Sequence, residues 1–377
     1  LSYKKNWWKK KKIGILVTSN SFGGIAKLSA MMANDLSKQN NIVEIYIPIL
    51  PYYTFYFKIF KRPFLWIRLF FIRYLIKYFF YKKFCFEDIL NKKNINSGLI
   101  NIKFVLTTIK KKDLNSLDCL VLNGIGDVKE YQDFKIKKKI YLVNQIEEIY
   151  SKKYKKIYEK LRKNFKGDIV THCNFMQNKL SNHIKNVRVV PNPISHGIWK
   201  HRNKININKK RNDILVYVKN DRIYDDAYNF LKKINELSDK LKITIIARKD
   251  NENLKVKLLS KNTNAKLFLD LNENSIAKLY LNHSFLLYTN RYEDFGMPPV
   301  EAMACGCIPI LNPKTGAASM YSKNNFNSIH LTYNTLFDAK NVLDKLKNEN
   351  KLLKLRKNSN TKINQFNPDD YGIKILN

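Results

Sequence analysis

Short apolar runs and stretches of helical periodicity alternate along most of the chain. The run Ile13–Thr18 leads into Gly23 and Gly24, after which Ile25, Leu28, Met31, Met32 and Leu36 recur at helical spacing. Another run, Ile42–Ile47, follows. Strand, glycine loop, helix and strand is how a parallel α/β sheet opens, with the loop at the carboxyl end of the first strand. Ile102–Leu106, Cys119–Leu122, Ile140–Val143, Ile169–Thr171 and Val187–Val190 continue the strand series, separated by helical patterns at Tyr154–Phe165 and Asn174–Ile184. Pro191 and Pro193 then interrupt regular structure, and a polar, basic stretch runs on to Asn212 as a connector. A second series begins beyond it, with strands at Ile214–Val218, Ile243–Ala247, Lys266–Leu269, Phe285–Tyr288 and Ile308–Leu311. Helices are expected near Asp226–Lys240, Ser275–Asn282 and Pro299–Cys305, and two more, Leu336–Lys347 and Lys351–Asn364, close the chain. The pattern predicts an α/β protein with two Rossmann-like, doubly wound domains.

Composition agrees with two such cores: 377 residues, 45% of them hydrophobic, exclude a disordered chain. The five cysteines show no C-x-x-C pair and no His/Cys ligand spacing, which points to a reduced compartment and no structural zinc. Charge changes the picture more, because 69 Lys and Arg against 31 Asp and Glu leave a net +38. One segment concentrates it. Residues 55–86 interleave aromatic side chains, Trp66 among them, with Lys58, Lys61, Arg62, Arg68 and Arg73, and contain no acid. Basic residues break the apolar run too often for a membrane span. An amphipathic segment in the interface of an anionic membrane fits this pattern; a core helix pair with a solvated basic face is the alternative. Stacking on single-stranded nucleic acid is a third reading, unsupported by any accompanying nucleic-acid module.

The densest chemistry lies between Asn290 and Pro309. Glu293 and Glu301 stand eight positions apart, one in a loop after an apolar strand and the other in the following helix. Gly296 permits close backbone approach, and a helix starting near Pro298 or Pro299 presents its positive end to an anion. Carboxylates beside such a helix start suit the hydroxyls of a nucleotide diphosphate sugar. Weaker candidates read structurally: Gly124–Gly126 as a turn, and Cys305 and Cys307 as buried packing.

This block resembles the GT4-like retaining glycosyltransferases of the GT-B fold, whose E-x7-E motif it reproduces with Glu293, Phe295, Gly296, Glu301, Ala302, Met303, Ala304, Gly306 and Pro309 in register. Gly23 and Gly24 match the family's glycine loop, and Val189–Ile194 its interdomain connector. The resemblance implies two domains facing across a cleft: an acceptor-side domain at 1–191 carrying the membrane-contact segment 55–86, a nucleotide-sugar domain at 192–362, and a tail at 363–377 returning to the first domain. It also implies roles. Glu293 contacts the transferred sugar as the catalytic residue, the backbone of Asp294, Phe295, Gly296 and Met297 holds the sugar and β-phosphate, Glu301 binds ribose, and Gly23 and Gly24 approach the diphosphate. Lys219 and Arg222 are the candidates to neutralise the pyrophosphate, although the family's usual G-R and following Lys are not reproduced; exposed loop charges are the other reading. Where many relatives place a His stands Asn123, which with Asn144 and Gln145 contacts the sugar or acceptor, or serves a turn.

The function expected is retaining transfer from a nucleotide-diphosphate sugar to a lipid-linked or polysaccharide acceptor in cell-surface glycan synthesis. The resemblance implies no cofactor and no metal, and the lack of any D-x-D fits this. The expected partners are nucleotide sugar, glycan or lipid-linked acceptor and anionic membrane, without nucleic acid; the expected location is cytoplasmic, on the membrane's inner face. A non-catalytic glycan-binding or scaffolding relative is the alternative.

Overall fold

The computed structural model describes residues 10–17, 24–48, 90, 95–105, 108–144, 155–182, 184–202, 211–218, 225–238, 240–247, 261, 263, 265–288, 295–313, 316–332 and 334–377. The basic aromatic segment 55–86 lies outside them. The described residues form two compact units. The first is drawn from Leu1–His172, Met176–Val190 and Asp369–Asn377, the second from Cys173–Phe175 and Pro191–Pro368.

The first unit is built on a seven-stranded sheet in the order β3-β2-β1-β4-β5-β6-β7. Its strands are β1 (Lys12–Leu16), β2 (Ile42–Pro48), β3 (Ile100–Val105), β4 (Cys119–Leu122), β5 (Lys138–Val143), β6 (Asp168–Thr171) and β7 (Val187–Val189), all paired in parallel. Helix Gly24–Lys38 turns Ala26, Ala30, Ala33 and Leu36 into a core with Ile13, Ile15, Val43, Ile45 and Val121. Small residues at its inner positions let the helix lie close on the sheet. The last helix, Tyr371–Leu376, packs on it, contributing Tyr371 and Ile375 to the same core. Asp35 fixes this contact by accepting from the Gly372 amide at 2.8 Å. A Cβ at Gly372 would stand 2.7 Å from Leu36 Cγ, so the approach of the two helices requires glycine there. Arg188 completes the attachment by donating to the Ile375 carbonyl at 2.8 Å.

The second unit repeats the plan with six parallel strands in the order β10-β9-β8-β11-β12-β13. These are β8 (Asn212–Tyr217), β9 (Ile243–Ala247), β10 (Lys266–Leu269), β11 (His283–Tyr288), β12 (Ile308–Leu311) and β13 (Ile329–His330). Ile214, Val216, Ile245, Phe285, Leu287 and Ile310 form its core with Phe230, Leu231 and Ile234 of helix Asp225–Leu237. In both sheets the chain starts in the middle and reverses its direction of growth, beside β1 in one and β8 in the other. Each reversal opens the carboxyl ends of two central strands, the place where doubly wound sheets take ligands.

One expectation is corrected by this fold. Gly124–Gly126 is no isolated turn: Gly124 is the N-cap of helix Ile125–Tyr131, and Asp127 accepts from the amides of Asn123 and Gly124 at 3.1 and 3.0 Å. The carboxylate three residues in supplies the cap that glycine lacks.

Candidate active site

At the carboxyl end of β11 the chain passes through residues 289–294, which include Glu293 and Asp294 and lie outside the described residues, and re-emerges at Phe295. Phe295 is buried, edge-on to Phe366 with ring centroids 5.9 Å apart, and its carbonyl accepts from the Ala317 amide. That anchoring delivers Gly296 in a left-handed conformation, φ 82°, as the N-cap of helix Met297–Ala304. The conformation is one that costs a residue with a Cβ about 1–2 kcal/mol. Pro298 and Pro299 occupy the first turn. They have no N–H, so of the donors that a helix start leaves over only the amides of Gly296 and Met297 remain. Two adjacent amides at the positive end of a helix make a compact anion cradle.

Glu301 lies one turn in and is half-buried. Behind it, the phenol of Tyr280 is fully buried and has its pKa raised, first by burial and then by the Glu301 charge. Tyr217 and Tyr288, at the ends of β8 and β11, bring their rings to 6.3 Å. The far end of the motif helix is closed by Arg211, which donates to the carbonyls of Gly306 at 2.9 Å and Cys305 at 3.2 Å. A guanidinium at a helix carboxyl end satisfies the leftover carbonyls and opposes the dipole. In the sequence Arg211 was only the end of a basic connector; these two helix-end partners are more than 90 residues away. Burial raises the Cys307 thiol to about 12 and Cys305 further, so both are packing groups.

In the first unit, Asn123 follows β4 and is buried. Its amide nitrogen donates to the Leu16 carbonyl at 2.7 Å, and its side-chain oxygen accepts from Asn144 at 3.2 Å. Asn144 follows β5, is half-buried, and meets His172, which follows β6, at 2.8 Å. His172 belongs to the same constellation, although in the sequence it is only the residue after the run Ile169–Thr171. Gly24 opens helix Gly24–Lys38 beyond the carboxyl end of β1. Gly23, Gln145, Lys219 and Arg222 lie outside the described residues, as do Lys58, Lys61, Arg62, Trp66, Arg68 and Arg73. Among the described residues no helix is long and apolar enough to cross a membrane, and no cluster of three potential metal ligands occurs.

Residues 197–363 match the model of the family glycosyl transferases group 1. The match covers most of the second unit. Solved structures similar to the whole chain include a glycosyltransferase from Rickettsia africae, with 14% identity, a TM-score of 0.66 and coverage of 98% of this chain and 97% of that one. HepE of Anabaena, solved with UDP-glucose, has 13% identity and a TM-score of 0.65, over 97% of this chain and 98% of its own. Sucrose-phosphate synthase of Thermosynechococcus elongatus follows with 12% identity and a TM-score of 0.66 over the same shares. None of the curated proteins matches the chain. At these identities the likeness is one of fold: two Rossmann-like domains of the GT-B class.

Proposed function

We propose that the protein is a retaining glycosyltransferase that moves a sugar from a nucleotide-diphosphate donor to a lipid-linked or polysaccharide acceptor. One observation carries the reading: the group 1 match spans the block that ends in the left-handed Gly296 and the helix starting at Met297. In this reading the Gly296 and Met297 amides hold the β-phosphate, Glu301 takes the ribose diol, and Glu293 contacts the sugar. Gly23 and Gly24 lie along the diphosphate. Lys219 and Arg222 neutralise the charge that develops on the leaving pyrophosphate. The departing phosphate oxygen takes the proton of the attacking hydroxyl on the same face, which retains the anomeric configuration and requires no protein base. The same charge compensation by Lys219 and Arg222 serves in place of a metal ion.

Turnover of a panel of UDP-, GDP- and other nucleotide sugars, in wild type beside Glu293→Ala and Glu301→Ala, tests this. One donor should be consumed, with loss in folded Glu293→Ala; full activity in that variant refutes the assignment, and donor binding without any turnover identifies a non-catalytic relative. Cosedimentation of the same preparations with anionic vesicles tests the acceptor's setting. Neutralising Lys58, Lys61, Arg62, Arg68 and Arg73 should weaken it, and unchanged binding removes the membrane role from residues 55–86.

A further inference from the structure

The residues that follow β4, β5 and β6 are all polar, and parallel register aligns them. Val143 pairs with Thr171, so Asn144 falls beside His172; Thr171 pairs with Val189, so His172 falls beside Val190. Hydrogen bonds then run in sheet order from Leu16 through Asn123 and Asn144 to His172. The direction of the chain is set at its β1 end. A carbonyl only accepts, so Leu16 draws the amide nitrogen of Asn123 towards itself and turns Oδ1 away. That Oδ1 and the Asn123 main-chain carbonyl, both 3.2 Å from Asn144 Nδ2, require the amide nitrogen of Asn144. Asn144 Oδ1 therefore faces the imidazole, and this shorter contact calls for the ring proton on Nε2. At Nδ1 the ring meets another acceptor, the Val190 carbonyl, at the longer distance of 3.1 Å. Burial lowers the His172 pKa to about 4, which keeps the ring neutral with one proton for two acceptors.

Counting what is left defines the chemistry of this edge. The amide hydrogens of Asn144 are directed to Asn123 and, at 3.4 Å, to the Leu142 carbonyl. Its spare capacity is a lone pair on Oδ1, and it is the accessible member of the chain, since Asn123 and His172 are buried. We propose that His172 is a positioning residue which, as its Nε2–H tautomer, fixes Asn144 as a hydrogen-bond acceptor for a substrate hydroxyl at the carboxyl edge of the first sheet. The proposal rests on the transferase reading in that the hydroxyl belongs to the transferred sugar or to the glycan that receives it. A substrate that offers only an acceptor at this point meets a lone pair and is disfavoured.

The test combines a spectroscopic and a kinetic readout on the full chain. Long-range proton–nitrogen correlation spectra at neutral pH, with the His172 ring identified by its loss in His172→Phe, should show a neutral ring protonated at Nε2. An Nδ1–H ring overturns the inference, whatever the activity. Kinetics with the donor that wild type consumes, and with its glycan acceptor, should show KM for the sugar-bearing substrate raised by about tenfold in folded His172→Phe, with kcat nearly unchanged, the scale of one lost oriented hydrogen bond. His172→Gln keeps a donor in reach of Asn144 and should restore most of the loss. Unchanged KM in His172→Phe overturns the positioning role. Failure of wild type to consume any nucleotide sugar removes the transferase reading instead, and the tautomer then decides whether the orientation of Asn144 stands.

Discussion

The two sheets finish their carboxyl edges in different ways. In the first unit, side chains separated by 21 and 28 residues in sequence hold three strand ends together by hydrogen bonds. In the second, the edge is a feature of the backbone: a left-handed glycine, a helix start and two prolines, all within four consecutive residues. A side-chain tie depends on strand register and tolerates change only where donors and acceptors still match. A backbone site depends on local conformation and tolerates change only where a Cβ is absent. Each edge should therefore fail to a different kind of substitution.

Gly296→Val is expected to produce the largest effect. A β-branched residue forced into the left-handed region should cost about 3 kcal/mol, or else shift the helix start and misplace its two amides. Hydrogen exchange in helix Met297–Ala304 and calorimetric titration with the donor would register both, with donor binding abolished while the first unit keeps its protection. Retained donor affinity would mean that the anion cradle lies elsewhere.

Asn123→Leu should break the other edge, at about 2 kcal/mol, because it leaves the buried Leu16 carbonyl without the Asn123 donor and the Asn144 amide with only main-chain acceptors. Protection should fall at the carboxyl ends of β1, β4 and β5 and stay unchanged in the second unit. An equal loss in both units would contradict the separation of the two edges.

The same contrast explains what could be read in the sequence. The parallel α/β plan was visible because buried strands such as Ile243–Ala247 and Ile308–Leu311 are continuous apolar runs bounded by loops. The family block was visible because its geometry is local, so spacing alone holds Glu293, Phe295, Gly296 and Glu301 in register. Strand β13 escaped notice because two residues carry no periodicity. Helix Ile125–Tyr131 escaped because Gly124 and Gly126 read as breakers, while the capping carboxylate of Asp127 lay just beyond them. Arg211 and His172 were invisible as site-shaping residues for a different reason. Their partners are distant in sequence, a helix end for Arg211 and a neighbouring strand end for His172, and only the packing of the sheets brings them within bonding range.

The smallest effect concerns charge inside the sheets. On β9, Thr244 meets the His283 ring at 2.9 Å, a pairing of neutral groups. On β2, the buried Glu44 carboxylate instead meets Lys103 at 2.8 Å and Lys12 at 3.1 Å, with Tyr46 hydrogen-bonded to it. Burial alone would raise the Glu44 pKa, but the bonds from Lys103, Tyr46 and Lys12 outweigh it and hold the carboxyl below its ordinary 4.5. A carboxylate whose pKa is lower in the folded than in the unfolded chain stabilises the fold above the unfolded value, and that contribution disappears as pH falls through the folded one. Glu44→Gln should thus weaken the first unit by about 1 kcal/mol at neutral pH, since both lysines can turn to water and glutamine still accepts from Tyr46. Below pH 4.5 the difference between variant and wild type should shrink towards zero, in step with protonation of Glu44. Amide exchange of β1, β2 and β3 measured against pH reads this directly, and a difference that persists in acid would assign the loss to packing around Tyr46 rather than to the carboxylate's charge.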